Sequence, residues 1–116
     1  MRYLKQIKHI IAAALAVGSI ALTSLPVQAQ EQSYSLTIRD NKFEPAVLSV
    51  KAGVKFQLKV TNGTAKQVEF ESYALGREKV ISPGQSAVVY LGPLEPGIYD
   101  VFDDFNQSNT STIIAK

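Results

Sequence analysis

Phe56, Leu58 and Val60 alternate with Lys55, Gln57, Lys59 and Thr61. Strict alternation of this kind describes a strand with one face in a core and the other in water. Lysine on the wet face also discourages pairing with other chains. The same period recurs on both sides of this segment. Tyr34-Ser35-Leu36-Thr37-Ile38-Arg39 reads as a half-buried strand, and Asp40-Asn41-Lys42 as a turn. Phe43-Glu44-Pro45 follows, and Pro45 cannot donate to a sheet ladder, which fixes a strand start or an edge. Ala46 to Val50 reads as the second strand, with Leu48 and Val50 on one face. Asn62-Gly63 is a strong hairpin signal that hands the chain to the alternating run Gln67-Val68-Glu69-Phe70-Glu71. With Val68 and Phe70 inward, Glu69 and Glu71 share the outer face, about 7 Å apart along the strand.

The later half is less regular. Ser72 to Lys79 reads as a loop with a helical turn, and Val80-Ile81 as a short apolar piece before Ser82-Pro83-Gly84. Ala87 to Leu91 is continuously apolar, the pattern of a strand buried on both faces. Turns at Gly92-Pro93 and Glu95-Pro96-Gly97 lead into a strand from Ile98 to Phe102. Asp103 to Thr110 reads as a polar loop, and Thr112 to Ala115 closes the sheet. About seven or eight short strands, separated by turn signals and without a helical period, predict an all-β Greek-key sandwich. Its predicted core comprises Phe56, Leu58, Val60, Val68, Phe70, Val89, Leu91 and Val101.

The first 29 residues follow a different pattern. Arg2, Lys5 and Lys8 precede the uncharged run from Ile10 to Leu25, Pro26 breaks it, and Val27-Gln28-Ala29 is a small-x-small cleavage site. The expected organisation is a signal peptide over residues 1–29 and one exported domain over residues 30–116, with no stable membrane insertion once the signal is removed. Cleavage changes the charge. The whole chain carries 12 Lys+Arg against 10 Asp+Glu. Without Arg2, Lys5 and Lys8 the balance is nine against ten, which gives no electrostatic reason to expect nucleic acid or an anionic membrane as partner. With no Cys in the chain, a domain this small has to draw its stability from apolar packing and sheet hydrogen bonds, or partly from a ligand.

Several segments carry a family likeness. They are Phe43-Glu44-Pro45 with Ala52-Gly53 beyond the next strand, and Glu69-Phe70-Glu71-Ser72. Arg77-Glu78-Lys79-Val80-Ile81 before Pro83-Gly84, and Gly92-Pro93-Leu94 before Pro96-Gly97 and Tyr99, complete the set. In this order the chain resembles the cupredoxin-like domains of bacterial periplasmic iron-uptake proteins, of the Efe type, and their stand-alone relatives. The resemblance implies a cupredoxin sandwich in the periplasm and a bound copper or iron ion. It implies a periplasmic iron-binding protein or a membrane permease as partner. It also implies a metal ligand at Glu69, the first Glu of the Glu-aromatic-Glu motif. Further ligands would come from the loop after Pro-Gly-x-Tyr, where relatives carry Cys or His and this chain has Asp103 and Asn106. Some relatives have Cys just before Glu-Pro, where Phe43 stands.

Composition then limits the chemistry. Beyond residue 29 there is no Cys, His or Met. A type 1 blue-copper centre needs a thiolate and two imidazoles, so that site is excluded. Only oxygen ligands remain, and the candidates are Glu69, Glu71, Asp100, Asp103 and Asp104. Such sets favour harder ions such as Fe(III), Mn(II) or Ca(II), with non-blue Cu(II) held more weakly. The ordinary alternative for Asp103-Asp104 is turn chemistry, and for Glu69 and Glu71 a solvated strand face. No Ser/His/Asp or Cys/His set exists, so an enzyme is not expected. Two functions lead: a metal-binding accessory of iron uptake, or a metal-free cupredoxin-like module that docks a partner. A hydrolase using Glu69 and Asp103 is the third alternative, disfavoured because so small a sandwich offers little room for a substrate cleft.

Overall fold

The computed structural model describes residues 18–21 and 32–116. The expected signal-cleavage site lies outside the described residues. Nine strands run in chain order: β1 Gln32–Arg39, β2 Lys42–Glu44, β3 Val47–Val50, β4 Phe56–Asn62, β5 Val68–Ser72, β6 Arg77–Ile81, β7 Ser86–Leu91, β8 Gly97–Asp103 and β9 Asn106–Ala115. They form a four-stranded sheet in the order β2-β1-β4-β7 and a five-stranded sheet in the order β3-β9-β8-β5-β6. Both sheets are mixed, because β1 pairs parallel with β4 and β3 pairs parallel with β9. Among the described residues no helix is long and apolar enough to cross a membrane.

The alternating positions build the core between the sheets. Leu36, Ile38, Phe56, Leu58 and Val60 face inward from one sheet, and Val68, Phe70, Val101 and Ile113 from the other; all are buried. Every residue of the predicted core is buried, Val89 and Leu91 included. Tyr34 packs edge-on against Phe56, with ring centroids 5.5 Å apart.

The structure corrects the strand reading in four places, and the described residues form nine strands where about seven or eight were expected. Asn62-Gly63 does not make a hairpin, because β4 and β5 lie in different sheets. The Asn62 side chain is fully buried and directs the crossing. Its Nδ2 donates to the carbonyls of Lys66 at 2.7 Å and Ile81 at 2.9 Å. Its Oδ1 accepts from the Thr64 N–H at 2.9 Å and the Thr64 hydroxyl at 2.7 Å. A side chain that replaces backbone partners in this way holds an open loop instead of a tight turn.

The segment after Ser72 is not a long loop. Arg77–Ile81 forms β6 and pairs antiparallel with β5 through a turn at residues 73–76. Its mainly polar sequence hides it, since an edge strand needs little apolar surface. β7 is buried on one face only: Val89 and Leu91 are inward, while Val88 and Tyr90 are exposed. Its outward side chains stand on the face of the sheet away from the core, as Lys59 does on the interior strand β4. Finally, β9 begins at Asn106, well before Thr112. Backbone pairing with β8 carries the polar run, and Asn109 and Ser111 point into the interior.

Candidate metal centre

β5 lies between β6 and β8 in the five-stranded sheet. Its period-2 alternation buries Val68, Phe70 and Ser72 and leaves Glu69 and Glu71 half-buried on the outer face. The same arithmetic governs the end of β8. Val101 is buried, Phe102 is half-buried on the other face, and Asp103 follows Val101 inward. Asp104 therefore stands on the outer side with the glutamates.

Two backbone contacts lock this arrangement. The Glu69 N–H donates to Asp103 Oδ1 at 2.9 Å, and the Asp104 N–H donates to the Glu69 carbonyl at 2.9 Å. Asp103 Oδ1 also accepts from the Phe105 N–H at 3.1 Å, which closes the turn between β8 and β9. Charge-assisted bonds of this kind are about twice as strong as neutral ones. Asp103 is only 3% exposed. It is the positioning residue that sets the Asp104 turn against the Glu69 strand.

On the outer face Glu69, Glu71 and Asp104 each offer a carboxylate oxygen, and these atoms lie within 4.8 Å of one another. Glu78 pairs with Glu71 across the ladder from β6. Partial burial, then Asp104, then Glu78 and Asp103 raise the Glu69 carboxyl above its ordinary range. Partial burial, then Asp104, Glu69 and Glu78 raise Glu71 in the same way. Desolvation and like charge both disfavour the ionised form. A cation among these oxygens relieves both effects.

Of the candidates from sequence, the structure brings Glu69, Glu71 and Asp104 into one group and leaves two outside it. Asp103 is turned inward on backbone amides. Asp100 sits further along β8, opposite Thr112, in a shallow cleft with Phe102, Gln107 and Thr110. Asn106 binds within the protein: its Nδ2 donates to Asn41 Oδ1 at 3.1 Å, and its Oδ1 accepts from the Ser108 hydroxyl at 2.9 Å. Phe43, just before Glu44-Pro45, is packed in the core. Glu78 was missed as a neighbour of the group because its strand was not visible. The alternation through Val101, continued two residues, is the signal that separates Asp103 from Asp104.

Residues 9–115 match the family model described as cupredoxin-like domain. The chain belongs to that family. Solved structures agree on the fold. The metal-binding domain of the Cu(I)-exporting P-type ATPase CopA of Streptococcus pneumoniae, solved with Cu(I), superposes with a TM-score of 0.66 at 13% identity. That match covers 72% of this chain and 84% of the domain. Reduced auracyanin from Roseiflexus castenholzii gives a TM-score of 0.63 at 12% identity, covering 74% and 98%. Amicyanin from Paracoccus versutus gives 0.58 at 18% identity, covering 78% and 86%. An uncharacterized protein of Rickettsia prowazekii is 39% identical over 79 residues, 68% of this chain. The chain spans 63% of that relative's length.

The residues present do not fit a type 1 copper centre. The loop that follows β8 offers a buried carboxylate and amides, with no thiolate or imidazole in residues 30–116. They do fit a hard cation on the outer face. Metal–oxygen distances of about 2.0–2.6 Å let one ion touch oxygens that are up to about 5 Å apart.

Proposed function

We propose that this protein is an exported cupredoxin-like metal carrier that holds copper or iron through carboxylate oxygens, as an accessory of metal uptake. Glu69 and Glu71 supply ligands from β5, and Asp104 supplies one from the adjoining turn. The observation that carries the reading is the convergence of these three oxygens within 4.8 Å. Their mutual repulsion gives a cation something to relieve, and the copper-containing relatives share the scaffold. The protein binds without catalysing. Its partner is the periplasmic iron-binding protein or permease implied by the family resemblance.

A second reading rests on a different observation. The loop to which the family resemblance assigns ligands is closed here, since Asp103 accepts from two backbone amides. A metal-free module that docks a partner fits that closure. Thermal unfolding with and without metal separates the two. A ligand that binds only the folded state at a hundredfold excess over its dissociation constant stabilises by about 2.7 kcal/mol. An upward shift with Cu(II) or Fe(III), abolished in Glu69→Gln, supports the carrier; no shift with either ion supports the module.

A further inference from the structure

The four edges of the two sheets are defended unequally. β2, β3, β6 and β7 each have a neighbouring strand on one side only. β2 is three residues long, carries Lys42 and Glu44, and runs into Pro45. β3 is four residues long and is bounded by Lys51. β6 carries Arg77, Glu78 and Lys79. Shortness, proline and charge are the devices that keep exposed edges from pairing with other chains. β7 has none of them. Ser86-Ala87-Val88-Val89-Tyr90-Leu91 is uncharged throughout. Val88 is 46% exposed and Tyr90 62% exposed on its outer face. Along any edge strand, alternate residues also turn their N–H and C=O groups to the open side.

We propose that β7 is a self-association edge, at which two copies of this chain pair their β7 strands antiparallel about a twofold axis. The two four-stranded sheets then become one continuous sheet.

A second copy is the occupant because β7 complements itself. Pairing centred on Val88 sets Val88 against Val88 on the outer face and Ser86 against Tyr90. β-Branched pairs stabilise sheets, and a small side chain beside a large one leaves room for the ring. No charged residue of β7 meets its own image. Lys59, which pairs with Val88 from β4, lies one strand further in on each copy. Residues 30–116 are almost neutral, with nine basic and ten acidic side chains, so net charge does not hold two copies apart. A twofold contact uses the same patch on both partners and closes at two. An edge of six residues is small beside a standard interface, so the pair forms only at raised concentration.

Sedimentation velocity on the purified protein, from micromolar to about millimolar, tests the inference. The wild type is expected to shift from monomer to dimer. Val88→Lys places a charge on the exposed face of the edge and should remain monomeric. Ile98→Lys, an exposed site on the other sheet, should dimerise like wild type. Circular dichroism checks that both variants fold, and Tyr90→Lys serves in place of Val88→Lys if that variant does not. Hydrogen exchange should slow at the β7 amides that face the open side as concentration rises. A wild type that stays monomeric, open-ended assemblies, or a dimer that survives Val88→Lys would each overturn the proposal.

Discussion

Asp103 and Asp104 are adjacent in sequence, yet they stand on opposite sides of one sheet. Asp103 points inward, almost wholly buried, with Oδ1 on two backbone amides. Asp104 points outward and shares a face with Glu69 and Glu71. The inner carboxylate has its charge compensated by fixed N–H dipoles, so it contributes structure. The outer ones face one another, so like-charge repulsion remains among them although the Gln107 amide donates to Asp104. The carboxylate cluster thus begins one residue beyond the inward-facing Asp103, on the outer face.

The comparison is broken most completely from beneath. Phe70 is fully buried and sits between Glu69 and Glu71 on β5. Phe70→Ala is expected to cost about 3–5 kcal/mol by chemical denaturation, disturbing both sides of the sheet. Asp103→Ala should come next. It leaves two amides without their acceptor and should cost about 3 kcal/mol, whereas Asp103→Asn keeps an acceptor oxygen and should lose clearly less. Asp104→Asn should fall within about 0.5 kcal/mol of wild type, because its carboxylate does no structural work beyond a contact with Gln107. Equal losses at Asp103 and Asp104 would erase the distinction between the two sides.

A smaller effect sharpens it through pH. Glu69 and Glu71 are raised above their ordinary value of 4.5. Each therefore holds its proton more tightly in the folded state than in the unfolded chain. Stability from this source is full below the ordinary value and is lost as pH rises through the raised ones. Wild type minus the Glu69→Gln, Glu71→Gln double variant should show that decline in denaturation experiments run from about pH 4 to pH 7. Bound metal should flatten it.

Much of this was legible from the sequence, for a clear reason. Where one sheet face is apolar and the other charged, as in Phe56 to Thr61, alternation specifies both the strand and its orientation. The pairing of Glu69 with Glu71 followed from the same rule. It failed where side chains do not report on backbone pairing. β6 is polar at an edge, and the start of β9 is polar on both faces, so each read as loop. Asn62-Gly63 carried a true turn signal, but a buried asparagine used it to cross between sheets. The opposite fates of Asp103 and Asp104 were within reach of the alternation rule, and the misplaced loop boundary at Asp103 concealed them.

Calorimetric titration with Cu(II), Fe(III), Mn(II) and Ca(II), run on wild type, Asp104→Asn and Asp103→Asn, tests the central claim most directly. At least one ion should bind wild type well below millimolar, the level at which binding free energy is only about 4 kcal/mol. Asp104→Asn should weaken that binding about tenfold or more, while Asp103→Asn leaves it close to wild type. Failure of all four ions to bind, or a greater loss in Asp103→Asn than in Asp104→Asn, would contradict the outer carboxylate face as the metal centre.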